Sequence, residues 1–192
     1  MKKVGLFFGS FNPIHIGHAI LASYIVDYSD LDQIWFVVSP QNPFKEKASL
    51  LPFHHRYAMV QATVEDDVRF RATDIERMLD KPSYTIDTLV HLSKKHPEVQ
   101  FTLIMGGDNL ASFDKWKNYE TILENYPILC YSRPNSGKAE LTVHPTVSIL
   151  DAPQMDYSSS LLRRMIKEGQ TVQYLMPPKA WTYLDEMNLF KV

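Results

Sequence analysis

Two histidines set three residues apart, His15 and His18, follow a short apolar run that ends at Gly9. Between them and that run lie Ser10, Phe11, Asn12, Pro13 and Ile14, and Gly17 separates the two imidazoles. At a helix start, side chains three apart project to the same side. The free N–H groups of a first helical turn favour anions. Two imidazoles beside such donors suit negative charge developing on phosphorus. Gly9 and Gly17, lacking side chains, are expected to let a ligand and a phosphate approach the backbone. The plain alternative is a pair of satisfied histidines at a helix cap. A zinc site is weaker, because no Cys, Asp or Glu nearby supplies a third ligand. Far along the chain, Tyr157-Ser158-Ser159-Ser160-Leu161-Leu162-Arg163 puts hydroxyls at a second helix start with a guanidinium one turn in. That combination binds phosphate groups. An N-cap run with a surface arginine is its bland counterpart.

These groups need elements to hold them. Val4–Gly9, Ile34–Ser39, Gln100–Gly106 and Ile128–Ser132 are apolar runs without alternation, as in strands covered on both faces. Val68–Ile75 and Val147–Leu150 add two more strands. Helical spacing is expected from about Ile16 to Tyr28, His54 to Glu65, Tyr84 to Lys95, near Asp108, over Tyr119–Asn125, about Ser159 to Glu168, and Pro178 to Met187. In the third of these, Pro82-Ser83 should cap the start and Ile86, Leu89, Val90 and Leu92 should face inward. Strands alternating with helices predict an α/β fold: a doubly wound, mainly parallel, Rossmann-like sheet with helices on both faces. No linker interrupts it, so residues 1–192 are read as a single domain with a helical portion from about 158. Ligands in such folds bind beyond the carboxyl ends of the strands.

Composition narrows the function. The 192 residues carry 20 Lys+Arg against 22 Asp+Glu, a net charge of −2, which argues against a protein built to grip nucleic acid through its phosphates. One cysteine, Cys130, permits no intramolecular disulfide and no cysteine-rich metal site. The stretch Val4–Val26 lacks charged residues, but Pro13, His15 and His18 inside it argue against a membrane span. A soluble, cytoplasmic protein is the expectation. Self-association is left open, with the Arg133–Thr146 loop and the aromatic C-terminal helix (Trp181, Tyr183, Phe190) as candidate contact regions.

The string Gly9-Ser10-Phe11-Asn12-Pro13-Ile14-His15-Ile16-Gly17-His18 resembles the signature loop of the nucleotidyltransferase superfamily. Residues 157–163 resemble that superfamily's Ser-Ser-Thr-x-Ile/Val-Arg motif, with Ser160 in place of the usual Thr. Three further segments resemble bacterial nicotinate-nucleotide adenylyltransferases. They are Pro40-Gln41-Asn42-Pro43-Phe44-Lys45, where Phe44 replaces a histidine; Ser83-Tyr84-Thr85-Ile86-Asp87-Thr88-Leu89; and Gly106-Gly107-Asp108-Asn109-Leu110-Ala111-Ser112-Phe113-Asp114-Lys115-Trp116. The Lys-Met-Ser-Lys-Ser loop of class I aminoacyl-tRNA synthetases, which share the histidine pair, does not occur.

The resemblance implies transfer of the adenylyl group of ATP to nicotinate mononucleotide, giving nicotinate adenine dinucleotide and pyrophosphate. It assigns His15 and His18 to catalysis, and Gly9, Ser10, Phe11, Lys45, Gly106, Asp108, Ser159, Ser160 and Arg163 to ATP. Asn42, Lys45, Tyr84, Thr85 and Trp116 would receive the mononucleotide, with Tyr84 and Thr85 on the nicotinate carboxylate and Trp116 stacked on the pyridine. Mg²⁺ is expected as the counter-ion of ATP, with no protein-built metal site. Rival readings are an adenylyltransferase for nicotinamide mononucleotide or phosphopantetheine, and a nucleotide sensor without turnover.

Overall fold

A computed structural model describes residues 1–40, 50–79, 83–132 and 140–191. In chain order the strands are β1 (Lys2–Gly9), β2 (Gln33–Val38), β3 (Phe70–Thr73), β4 (Val99–Gly106), β5 (Ile128–Tyr131) and β6 (Val147–Leu150). The helices are α1 (Ile16–Tyr28), α2 (Phe53–Val64), α3 (Thr85–Lys95), α4 (Gly107–Leu110), α5 (Tyr119–Asn125), α6 (Ser159–Lys167) and α7 (Pro178–Glu186). All five strand pairings are parallel, in the order β3-β2-β1-β4-β5-β6. The order reverses between β1 and β4, which opens a crevice at their carboxyl ends.

The apolar runs become intelligible once both sheet faces are covered. Phe7, Phe36, Val38, Ile104 and Tyr131 point to one side, where they pack with Ala22 and Ile25 of α1, Met59 and Val60 of α2, Leu162 of α6 and Leu184 of α7. Their chain neighbours Leu6, Trp35, Val37, Met105 and Cys130 point to the other, against Ile86 and Leu89 of α3 and Ile122 of α5. Period-two alternation therefore splits one continuous hydrophobic run between two cores.

Several expectations are corrected. The third strand stops at Thr73; Ile75–Met78 is a 3₁₀ turn, which carries Glu76 inward. Pro82 lies outside the described residues, and α3 takes Tyr84 rather than Pro82-Ser83 as its N-cap. Val90 is exposed, and Thr88 is the residue that turns inward with Ile86, Leu89 and Leu92. The helix near Asp108 is a single turn followed by a 3₁₀ turn over Phe113–Lys115. In the C-terminal helical region, Trp181, Tyr183 and Phe190 pack against the core, and the Tyr183 hydroxyl meets His55 Nδ1 at 3.0 Å. Among the described residues no helix is long and apolar enough to cross a membrane.

Candidate active site

Where β1 ends, the chain makes a tight loop before α1. Phe11 takes a left-handed φ of 43°, and the Asn12–Pro13 peptide is cis. The Phe11 ring folds back beneath Gly9, where a Cβ would lie 2.7 Å from its Cζ. The Phe11 ring is thus one reason for a glycine at position 9, which also lines the cleft. At 2 % exposure, Phe11 is a floor residue whose ring meets His18 edge-on, centroids 5.2 Å apart. Phe7, Phe36 and Tyr131 continue this aromatic floor.

His15 is the N-cap of α1 and His18 its third residue, so both rings stand over the helix start with centroids 3.7 Å apart. The His15 backbone N–H donates to His18 Nδ1 at 3.2 Å. A ring nitrogen that accepts carries no proton, so in the neutral ring the proton sits on Nε2. His18 is therefore held in the tautomer that can donate. A Cβ on Gly17 would lie 3.0 Å from His15 Nδ1 and 3.1 Å from its Cε1. The glycine makes room for the imidazole and also lines the cleft.

The start of α6 closes against this loop. Ser158 caps the helix by accepting from the Leu161 N–H at 3.2 Å. Ser159 Oγ donates to the Pro13 carbonyl at 2.9 Å, and Arg163 Nη1 donates to the Asn12 carbonyl at 2.8 Å. A second Arg163 nitrogen donates to Ser160 Oγ at 3.2 Å. The two motifs form one wall of a cleft of about 1030 Å³, a volume suited to two nucleotides. Burial lowers the Arg163 pKa without bringing a carboxylate to it.

Across the cleft stand Ser83, Tyr84 and Thr85 at the start of α3, with Trp116 beyond them. Trp116 is half-buried and serves both core and cleft, its ring 5.2 Å from that of Phe113. Lys117 lies over the Tyr84 ring at 4.5 Å and pairs with Asp87 at 3.1 Å. Behind this wall Glu76 is only 3 % exposed. Its Oε1 accepts from Thr88 Oγ1 at 3.0 Å, while Oε2 is buried with no donor in bonding geometry among the described residues. Burial pushes the Glu76 carboxyl up, against the opposing pull of the Ser39, Thr88 and Ser83 hydroxyls.

Beneath the cleft, Arg56 of α2 is 1 % exposed. Its Nη1 donates to the carbonyls of Ser10 and Ser39, each at 2.7 Å; Nη2 donates to Pro40 at 2.9 Å and Nε to Leu51 at 3.0 Å. Asn12 Oδ1 accepts from the Leu51 N–H at 3.1 Å. One guanidinium thus joins the loop after β1 to the segments leaving β2 and entering α2. Burial lowers its pKa to about 10, still charged at neutral pH.

Of the residues expected in the site, His15, His18, Gly9, Ser10, Phe11, Asp108, Ser159, Ser160, Arg163, Tyr84, Thr85 and Trp116 line one cleft. Gly106 is buried at the end of β4 and does not line it; Asp108 and Asn109 continue that wall. Asn42 and Lys45 lie outside the described residues. Sequence reasoning missed Arg56, Glu76, Lys117 and Tyr131. Only Glu76 and Lys117 had a signal, each standing near a segment already singled out.

The span that carries both halves of the cleft, residues 6–165, matches a family model described as cytidylyltransferase-like. By class this is a nucleotidyltransferase-type α/β protein. A "Probable nicotinate-nucleotide adenylyltransferase" of Flavobacterium johnsoniae is 48% identical over 191 residues, covering 98% of this chain and 99% of the relative. A protein of the same name from Christiangramia forsetii is 47% identical over 192 residues, covering 99% of each. The chain belongs to the nicotinate-nucleotide adenylyltransferase family. Its fold is shared with the Plasmodium falciparum nicotinic acid mononucleotide adenylyltransferase solved with NaAD, at a TM-score of 0.81 over 99% of this chain and 98% of that one, with 20% identity. The same enzyme complexed with APC superposes at 0.82 with 21% identity.

Proposed function

We propose that this chain transfers the adenylyl group of ATP to nicotinate mononucleotide, releasing pyrophosphate and forming nicotinate adenine dinucleotide. The observation that carries the reading is the contact between the two motifs: Arg163 and Ser159 of α6 bond to Asn12 and Pro13 beside the histidine pair. Hydroxyls, a guanidinium and two imidazoles then face a single triphosphate.

The attacking 5′-phosphate oxygen is already an anion and needs no general base. It forms a bond to the α-phosphorus of ATP as the bond from that phosphorus to the β-phosphate bridging oxygen breaks, and pyrophosphate leaves with that electron pair. Catalysis is then positioning and charge stabilisation. His18, held as an Nε2–H donor, stabilises charge on the α-phosphate, and His15 orients it. Ser159, Ser160 and Arg163 hold the departing pyrophosphate, a role also assigned to Lys45 by the resemblance of its motif. Asp108 serves the adenosine side, and the free amides of the α3 first turn receive the nicotinate carboxylate. Trp116 stacks on the pyridine, and Asn42 is assigned to the mononucleotide by the resemblance of its motif.

The donors lining the α6 side are hydroxyl, imidazole and guanidinium, a set suited to phosphate oxygens. Asp156 and Asp108 also line the cleft, and among the described residues no group of three or more metal-ligating side chains stands together, which supports Mg²⁺ entering with ATP and held through phosphate and water. The test is pyrophosphate release with Mg-ATP and, side by side, nicotinate mononucleotide, nicotinamide mononucleotide and phosphopantetheine. A preference for the acid mononucleotide of about a hundredfold supports the reading; turnover of another of the three in its place, or of none, overturns it.

A further inference from the structure

Glu76 is a carboxyl where the reading just given would put a carboxylate ligand. It sits on the 3₁₀ turn after β3 and lines the cleft together with Ser83, Tyr84 and Thr85. Thr88, one turn into α3 and fully buried, donates to Oε1 and so turns the carboxyl group. That leaves Oε2, which is buried and meets no donor in bonding geometry among the described residues. An oxygen left this way in a cleft wall is costly unless a ligand or a proton completes it.

We propose that Glu76 is a specificity-determining residue: its Oε2 hydrogen-bonds the ring substituent of the mononucleotide's pyridine, beside the free amides of the α3 first turn. The inference rests on the nucleotide reading above. Two carboxyl groups in contact share one proton, since both cannot stay ionised at hydrogen-bond distance. Whichever group holds the proton donates to the other. Burial favours the protonated form of Glu76 and raises its pKa against the opposing pull of the Ser39, Thr88 and Ser83 hydroxyls, with no neighbouring charge involved. The protonated carboxyl is a donor, which suits a carboxylate substituent. The ionised carboxylate is an acceptor only, which repels a carboxylate and suits the N–H of an amide. One proton on Glu76 therefore sets which substrate is preferred.

The titratable groups on the packed elements are few. On its own turn and the residue before it are Asp74 and Arg77. On α3 are the Tyr84 hydroxyl at the N-cap and Asp87, which Lys117 neutralises from beyond α4. Arg56 of α2 is turned to four backbone carbonyls, and Ser39 after β2 brings only a hydroxyl.

The experiment measures kcat/KM for nicotinate mononucleotide and for nicotinamide mononucleotide, and follows their ratio with pH. Titration of the 5′-phosphate and of His15 and His18 affects both substrates alike and cancels in the ratio. In the native protein the acid-over-amide ratio should fall as pH rises through the Glu76 titration. Glu76→Gln keeps an acceptor for Thr88 and a donor in place of Oε2, so it should retain the acid preference and lose its pH dependence. Glu76→Ala should lower the ratio by about tenfold or more, because the polar contact that separates the two substrates is gone. A ratio unchanged in both variants, or a pH dependence that survives in Glu76→Gln, overturns the proposal. If the native protein itself shows no preference for the acid, the functional reading fails instead, so the two failures are distinct. Because Glu76→Gln is nearly isosteric, a folding loss in Glu76→Ala leaves the test standing.

Discussion

Arg163 Nη1 and the Asn12 carbonyl oxygen lie 2.8 Å apart although 151 residues separate them along the chain. Through that bond α6 is fastened to the loop that presents the histidines. Replacing Arg163 by alanine therefore does two things: it removes a charged donor from ATP and leaves the Asn12 carbonyl without its partner. KM for ATP should rise about tenfold or more, and stability should drop by about 1–3 kcal/mol. Steady-state kinetics and urea unfolding measure the two separately.

His18→Ala tests the imidazole. Removal of one preorganised donor lowers kcat by about a hundredfold, with KM for ATP changed by no more than about threefold. Pyrophosphate release at saturating substrates reads the effect; weaker binding at unchanged kcat contradicts the role given to His18.

The two loop glycines should fail in different ways. Gly17→Ala puts a methyl about where the His15 ring stands, 3.0 Å from Nδ1, and a displaced imidazole of this kind can cost up to about a hundredfold in kcat in a protein that stays folded. Gly9→Ala meets the buried Phe11 ring at 2.7 Å, so it should destabilise the protein by about 1–3 kcal/mol. Circular dichroism melts alongside kcat separate these outcomes.

Arg56→Met strips the donors from four carbonyls at once and should cost about 3–5 kcal/mol, read from urea unfolding. Arg56→Lys should recover only part of this, since one ammonium cannot span a fork of four acceptors. Full recovery by lysine would mean that charge rather than geometry matters.

Cys130 gives a pH prediction. Burial, with a smaller push from the Asp108 charge, raises its thiol from 9.0 to about 11. The unfolded chain then loses this proton at lower pH than the folded one, so rising pH favours unfolding across that window. The stability contribution is complete below about 9 and is lost as pH rises to about 11. Cys130→Ala removes that part of the alkaline slope. At neutral pH the folded protein should resist alkylation by iodoacetamide, and the urea-unfolded protein should react.

The parts of the site that the sequence disclosed are those whose chemistry is local. The histidine pair sits on one helix turn, and Ser159, Ser160 and Arg163 on another, so spacing alone puts each set on one side. The strands were legible because doubly covered sheets need continuous apolar runs. Arg56 gave no signal and Glu76 only its nearness to a segment already singled out, because a charged residue on a half-polar segment reads as solvent-facing, and only tertiary packing reveals either one as 3 % exposed or less. The glycines were legible as places needing no side chain, but their protein neighbours Phe11 and His15 were not, because no local pattern announces that a ring will fold back onto its own loop. Val90 was misplaced because the face of α3 that carries Ile86, Leu89 and Leu92 inward also carries Thr88, whose buried hydroxyl meets Glu76.

The bond between residues 12 and 163 also sets an order on synthesis. The histidine loop leaves the ribosome first and waits for roughly 8–30 s, at ordinary elongation rates, until the helix that bonds to it has been made. During that interval the nascent chain carries both imidazoles without the guanidinium and hydroxyl that close the wall beside them. A chain that stops short of α6 therefore lacks one wall of the cleft, however well its histidine loop is formed.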